Sequence, residues 1–97
     1  MSVVLINPFE VPAGREDACL EFWERFAAYM RRQPGFLSAR LHRAIAPGAR
    51  FAFVNIAEWQ TPEDCPRAIA TAEFERLTAG SAERFPHCPG LYEIIRT

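Results

Sequence analysis

Residues 51–60 read FAFVNIAEWQ, and the alternation within them decides the fold. Side chains of a strand point to opposite faces in turn, which puts Phe51, Phe53, Asn55, Ala57 and Trp59 on one side and Ala52, Val54, Ile56 and Glu58 on the other. Both sets are mostly apolar. A sheet washed by solvent on one side would show a polar set, so this strand is expected to be covered on both: by the chain's own helices on one face and by a further layer on the other. Asn55 and Trp59 are the exceptions with polar groups to offer. Four residues apart on one face, they lie about 13 Å from each other at the usual rise of a strand, close to the length of a fused-ring molecule. They are candidate site residues, although an amide and an indole in a core strand also serve structural roles.

Upstream, residues 36–44 alternate Leu37, Ala39 and Leu41 with Ser38, Arg40 and His42, the pattern of a strand with one wetter face, as at a sheet edge. Pro47-Gly48 is the preferred pair at the middle of a type II turn, so this strand and the next are expected to form an antiparallel hairpin. Before it, residues 15–33 carry Cys19, Phe22, Trp23, Phe26 and Met30 at helical spacing. Acidic Glu16 and Asp17 at the start and basic Arg31 and Arg32 at the end complement the helix dipole, and Pro34-Gly35 stops it. Phe22 and Phe26 are candidates for the wall of a pocket, whereas an aromatic stripe on a helix is by default core. The chain opens with a β-branched run from Val3 that should end at Asn7-Pro8 or continue only as an edge, since proline has no amide to donate. Asn7 shares a face with Val3 and Leu5 and is a third candidate, with hydrogen bonding to the following turn as its structural role.

Downstream, Thr61-Pro62-Glu63-Asp64 has the hydroxyl, proline and acids of a helix start, but Pro66 follows too soon for a regular helix from Pro62. Two short pieces over residues 67–71 and 72–79 are expected, Phe74 and Leu77 facing inward and Gly80 ending the second. Residues 81–90 read as a loop, and 91–96 as a last strand with Tyr92, Ile94 and Arg96 on one face.

The order strand, helix, strand, strand, helix, strand is the split βαβ pattern of an α+β, ferredoxin-like βαββαβ domain with a four-stranded antiparallel sheet. Its 97 residues, 49% hydrophobic and 24% charged, suit one domain over residues 1–97. Right-handed crossovers put both helices on one face, and the economical cover for the other, with Val54 and Ile56 in it, is a second copy of the chain in a homodimer. Eleven basic against twelve acidic residues give a net charge of -1, which offers nucleic acid or an anionic membrane nothing to bind. The Val3-Val4-Leu5-Ile6 run is too short for a signal peptide, no stretch reaches the length of a membrane span, and Cys19, Cys65 and Cys88 have neither disulfide nor zinc spacing. A cytoplasmic protein with reduced thiols is expected.

Glycine-rich nucleotide fingerprints, HExxH and CxxC are all missing, so no flavin, nicotinamide or metal cofactor is expected. His42 and His87 lack an evident partner in the sequence, which favours exposed or simply hydrogen-bonded roles, and Cys65 reads as a buried thiol unless a helix start lowers its pKa.

The segments INPF, VPAGRE, QPGF, FVNIAEW followed by TPED, and LYEIIR together resemble the antibiotic biosynthesis monooxygenase family of dimeric α+β barrels over nearly the whole chain. In its anthrone oxygenases an asparagine and a tryptophan four apart on this strand line the pocket, and Asn55 and Trp59 match them. Asn7 is similar to a first-strand asparagine that the family uses. Departures are visible too. A pocket tyrosine six residues beyond the tryptophan corresponds to Cys65, the pocket arginine falls on neither Arg76 nor Arg84 with any certainty, and the histidine of haem-degrading relatives corresponds to a position near Ile69. The resemblance implies a cofactor-independent monooxygenase that joins molecular oxygen to an electron-rich polycyclic or quinol-like aromatic. Asn55 and Trp59 would be its catalytic residues, and Asn7, Phe22 and Phe26 its substrate contacts. A non-catalytic small-molecule binder of the same fold is the alternative, and a haem-binding or haem-degrading relative the weaker one.

Overall fold

The computed structural model describes residues 3–97. Four strands, β1 (Val3–Phe9), β2 (Phe36–Arg43), β3 (Phe53–Trp59) and β4 (Gly90–Tyr92), form one antiparallel sheet in the order β2-β3-β1-β4. The helices α1 (Glu16–Met30), α2 (Asp64–Ile69), α3 (Ala72–Leu77) and the single turn α4 (Ser81–Arg84) complete it. This is the expected α+β, ferredoxin-like arrangement.

Burial alternates along the two central strands as their sequences require. Val3, Leu5, Asn7 and Phe9 are buried on β1, and Phe53, Asn55, Ala57 and Trp59 on β3, while the residues between them are more open. Register pairs these residues directly: Val3 with Trp59, Leu5 with Ala57, Asn7 with Asn55, Phe9 with Phe53. Two apolar clusters result. At one end Val3, Leu5, Ala57 and Trp59 pack under Tyr29, Met30, Cys65 and Ala68; at the other Phe9 and Phe53 meet Cys19, Phe22 and Phe85. Between them, across the middle of the sheet, runs a row of two amides, Asn7 and Asn55.

Hydroxyl bonding ties the helical layer together. The Tyr29 hydroxyl on α1 donates to the Ala68 carbonyl at 2.7 Å, lies 2.6 Å from Thr71 Oγ1, and that oxygen in turn caps α3 by accepting from the Phe74 amide at 3.0 Å. Among the described residues no helix lies over the opposite face of the sheet, with Val54 and Ile56.

Several expectations are corrected. β1 runs through Pro8 and is central, because the Pro8 carbonyl points away from β3 to the Cys88 amide at 3.2 Å, so the missing N–H falls on the side where pairing with β4 has already stopped at Ile6 and Gly90. α1 stops at Met30, and Arg31 and Arg32 lie beyond it, where the Arg32 and Gln33 amides tighten onto carbonyls three residues back. A register shift between Phe36 and Ser38 puts Phe36 beside Trp59 and leaves Leu37 exposed. Thr61 does not cap α2; its amide donates to the Asp64 carboxylate at 2.9 Å, and Pro66 sits in the first turn, where no intrahelical N–H is needed. Gly80, at φ 77°, does not merely end α3 but leads into α4, within the stretch expected to be loop. β4 is three residues instead of six, its pairing with β1 ending at Val4 and Tyr92.

Candidate functional site

The amide row is where the core fails to satisfy itself. Asn55 is completely buried and its Oδ1 accepts from Trp23 Nε1 on α1 at 3.2 Å, which leaves its Nδ2 with no partner. Asn7 Oδ1 and Trp59 Nε1 are likewise buried without a partner. Each such group costs about 1–3 kcal/mol in lost hydration, so three on one face of one sheet is a concentration that packing does not explain.

A cavity of about 570 Å³ lies over β1 on the helix side. Leu5, Asn7 and Phe9 form its floor, Phe22, Phe26 and Met30 of α1 one wall, Cys65, Ile69 and Phe74 another, and His87 and Leu91 its rim. Among the described residues no Asp, Glu, Lys or Arg lines it. Its volume lies in the range of small-molecule sites, and a wall so apolar with a few polar groups is the usual make-up of one.

The candidates from sequence separate into two groups. Asn7, Phe22 and Phe26 border the cavity together. Asn55 and Trp59 face the helices, but neither is in the cavity wall: Asn55 is covered by Trp23, and Trp59, 1% exposed, packs edge-on to Phe36 with ring centroids 5.3 Å apart. The neighbours differ: over β3, Trp23 of α1 bonds Asn55 and Phe36 packs on Trp59, whereas the cavity opens over Leu5, Asn7 and Phe9 of β1.

The sequence favours an exposed or simply hydrogen-bonded role for His87 and does not place it at a cavity. It is half-buried on the rim, its Nδ1 2.9 Å from the Phe85 carbonyl oxygen and its ring 5.3 Å from that of Phe9, with which it forms an isolated antiparallel bridge. The flanking Pro86 and Pro89, which stiffen the loop, were the available signal. His42 is exposed on the uncovered face beside the Val54 carbonyl. Burial pushes the Cys65 thiol up from its ordinary value, which disposes of the activated thiolate considered from its place near a helix start. Arg76 and Arg84 are both exposed and outside the cavity. Among the described residues no group of three or more His, Cys, Asp or Glu side chains is placed to hold a metal ion, and no helix is long and apolar enough to cross a membrane.

Solved structures share this architecture. A candidate monooxygenase from Shewanella loihica PV-4 is 38% identical, with a TM-score of 0.83 over 99% of this chain and 96% of its own. SnoaB, a cofactor-independent oxygenase from Streptomyces nogalater, is 28% identical with a TM-score of 0.84, over 99% and 95%. A candidate antibiotic biosynthesis monooxygenase from Bordetella bronchiseptica, 19% identical with a TM-score of 0.80 over 98% of each chain, shares the fold. No curated protein matches the sequence significantly. The family model described as antibiotic biosynthesis monooxygenase matches residues 2–80, and with that span the chain belongs to the antibiotic biosynthesis monooxygenase family.

Proposed function

We propose that this protein is a cofactor-independent monooxygenase that oxidises an electron-rich polycyclic or quinol-like aromatic with molecular oxygen, acting as a cytoplasmic homodimer of single-domain chains. The observation that carries the reading is the cavity: large enough for fused rings, without a charged side chain in its wall, and bordered by an amide oxygen that lacks a partner. Such a site suits a neutral aromatic with one or two oxygens and repels phosphorylated or carboxylated molecules, whose charge it would leave unpaired. A substrate of this class forms a delocalised anion that reduces oxygen itself. The protein then has to bind it, exclude water and stabilise the charge.

In this scheme Phe22 and Phe26 hold the rings and Asn7 bonds a substrate oxygen, its amide presenting whichever of N–H or carbonyl the oxygen needs. Asn55 and Trp59 supply N–H donors for developing charge on oxygen. Both donors are free of protein partners, and the Trp23 bond to Asn55 Oδ1 makes Nδ2 the end that is left to give. Because both lie behind the wall, they reach substrate only when ligand entry turns wall side chains aside. Asn55 adjoins Asn7 in register, so the displacement required there is of one side chain's width.

The test is oxygen uptake with anthrone- and quinol-type substrates in the absence of added flavin, metal or nicotinamide. Turnover is expected, reduced on the order of 10²-fold in Asn55→Ala and in Trp59→Phe. Tight binding of these aromatics with no oxygen consumed would reduce the protein to a binder, and wild-type rates in both variants would remove those two residues from the chemistry.

A further inference from the structure

We propose that His87 is the general base of the cavity, taking through Nε2 the proton whose removal starts the oxidation; the assignment rests on the oxygenase reading above. That reaction needs a proton acceptor, and among the described residues lining the cavity the candidates by side-chain chemistry are the Cys65 thiol and the His87 imidazole. Cys65 is held as the neutral thiol by burial, which makes it a poor base at neutral pH. His87 is different. The Phe85 carbonyl oxygen 2.9 Å from Nδ1 can only accept, so Nδ1 carries the hydrogen and the neutral ring presents a bare Nε2.

The ring is also held in place. Phe9 and His87 form an antiparallel bridge, backed by bonds from the Glu10 amide to the Pro86 carbonyl at 2.8 Å and from the Cys88 amide to the Pro8 carbonyl at 3.2 Å. Asn7 is the diagonal neighbour of His87 across that bridge, which separates their α-carbons by about 7–8 Å. Both line the cavity, so a bound aromatic would set its oxygen on Asn7 and its acidic C–H toward the imidazole. The charged groups nearest in the chain point elsewhere: Glu10 pairs with Arg50 at 3.5 Å, Arg84 lies over Phe85, and Glu83 is exposed.

The step balances with dioxygen as the only oxidant. The C–H electron pair stays on the substrate as a delocalised anion while the proton moves to Nε2. The anion passes its electrons to dioxygen and joins it as a peroxide anion, and the imidazolium returns its proton to the terminal oxygen. Loss of the second C–H proton as the O–O bond breaks leaves a ketone and one water, with His87 neutral again.

Hydrogen–deuterium exchange at the methylene of anthrone, followed by NMR without oxygen, reads the first step alone. Wild-type protein is expected to accelerate exchange, with an acidic limb in its pH profile. His87→Asn, whose amide can keep the bond to the Phe85 carbonyl while lacking Nε2, is expected to lower the rate by roughly 10²–10⁴-fold. Added imidazole should restore part of the rate in His87→Ala, which a merely structural role would not allow. Exchange in His87→Asn at the wild-type rate, or no acceleration by wild type, overturns the proposal. Exchange that depends on His87 but is followed by no oxygen uptake upholds the base and overturns the oxygenase reading.

Discussion

Replacing Asn55 by leucine separates a residue kept for chemistry from one kept for packing. The side chain has no exposure, makes one hydrogen bond, from Trp23 at 3.2 Å, and leaves Nδ2 unpaired. Leucine fills a similar volume and takes away the unpaired donor, which returns about 1–3 kcal/mol, while the lost Trp23 bond costs about 0.5–1.5 kcal/mol because Trp23 is only half-buried and has solvent within reach. The net is a change between about −0.5 and +2.5 kcal/mol, or up to roughly 10–20 °C in Tm for a domain of this size. Trp23→Phe breaks the same bond from the other side and should have the opposite sign, a loss of about 1–3 kcal/mol, since it strands a fully buried amide entirely. The assay is thermal and urea unfolding at one fixed protein concentration, with oxygen uptake measured on the same samples. Asn55→Leu is expected to lose no more than about 0.5 kcal/mol of stability and to be about 10²-fold less active. A loss of more than about 2 kcal/mol in Asn55→Leu would show that the amide holds the fold together, and the functional account of it would fail.

Three further outcomes are expected. Val54→Arg, on the uncovered face, should convert a homodimer to monomer in sedimentation at micromolar concentration, because it puts an unpaired charge into a dry contact; a wild-type monomer would refute the dimer itself. Gly35→Ala should lose at least about 1–2 kcal/mol in urea unfolding, since Gly35 has φ 84° and an added methyl runs into the Asp64 carboxylate; an unchanged midpoint would contradict the close approach. Cys19 and Cys65 are raised by burial above the ordinary 9.0, so the unfolded chain ionises first on the alkaline side. Their contribution to stability is therefore complete below pH 9.0 and falls as pH rises above it, by at most about 1.4 kcal/mol per pH unit per thiol, and Cys65→Ala should flatten that fall in unfolding measured between pH 8 and 10.

Most of the fold was legible because it rests on local periodicity. The alternation in FVNIAEW and the helical stripe through Phe22 and Met30 announce which faces are buried, and both are buried as spaced. What escaped depends on pairing partners distant in sequence. Pro8 is harmless in a central strand only because pairing with β4 stops short of it, at Ile6 and Gly90. The site was legible in part for the same reason. Alternation places Asn55 on the helix side, but whether it meets a cavity depends on which neighbour covers it, and Trp23 does. His87 reaches the cavity through a single bridge to Phe9, a contact with no periodic trace in the sequence.

The position of the amide row follows from the balance of energies along β1 and β3. Fully burying a large apolar side chain contributes about 1.5–3 kcal/mol, and clusters led by Trp59 at one end and Phe53 at the other supply several such contributions each. An unpaired amide costs a similar amount, so a sheet of this size tolerates a few of them only where strongly stabilised packing flanks them on both sides. The middle of the two central strands is that place. It is also where one residue's shift in register would exchange Asn55 for Val54 and turn the site toward the uncovered face, and the paired Phe9–Phe53 and Val3–Trp59 contacts oppose such a slip from both ends. The packing that makes the polar row affordable is thus the packing that keeps it pointed at the helices, and a variant that loosens either cluster should disturb the site before it unfolds the chain.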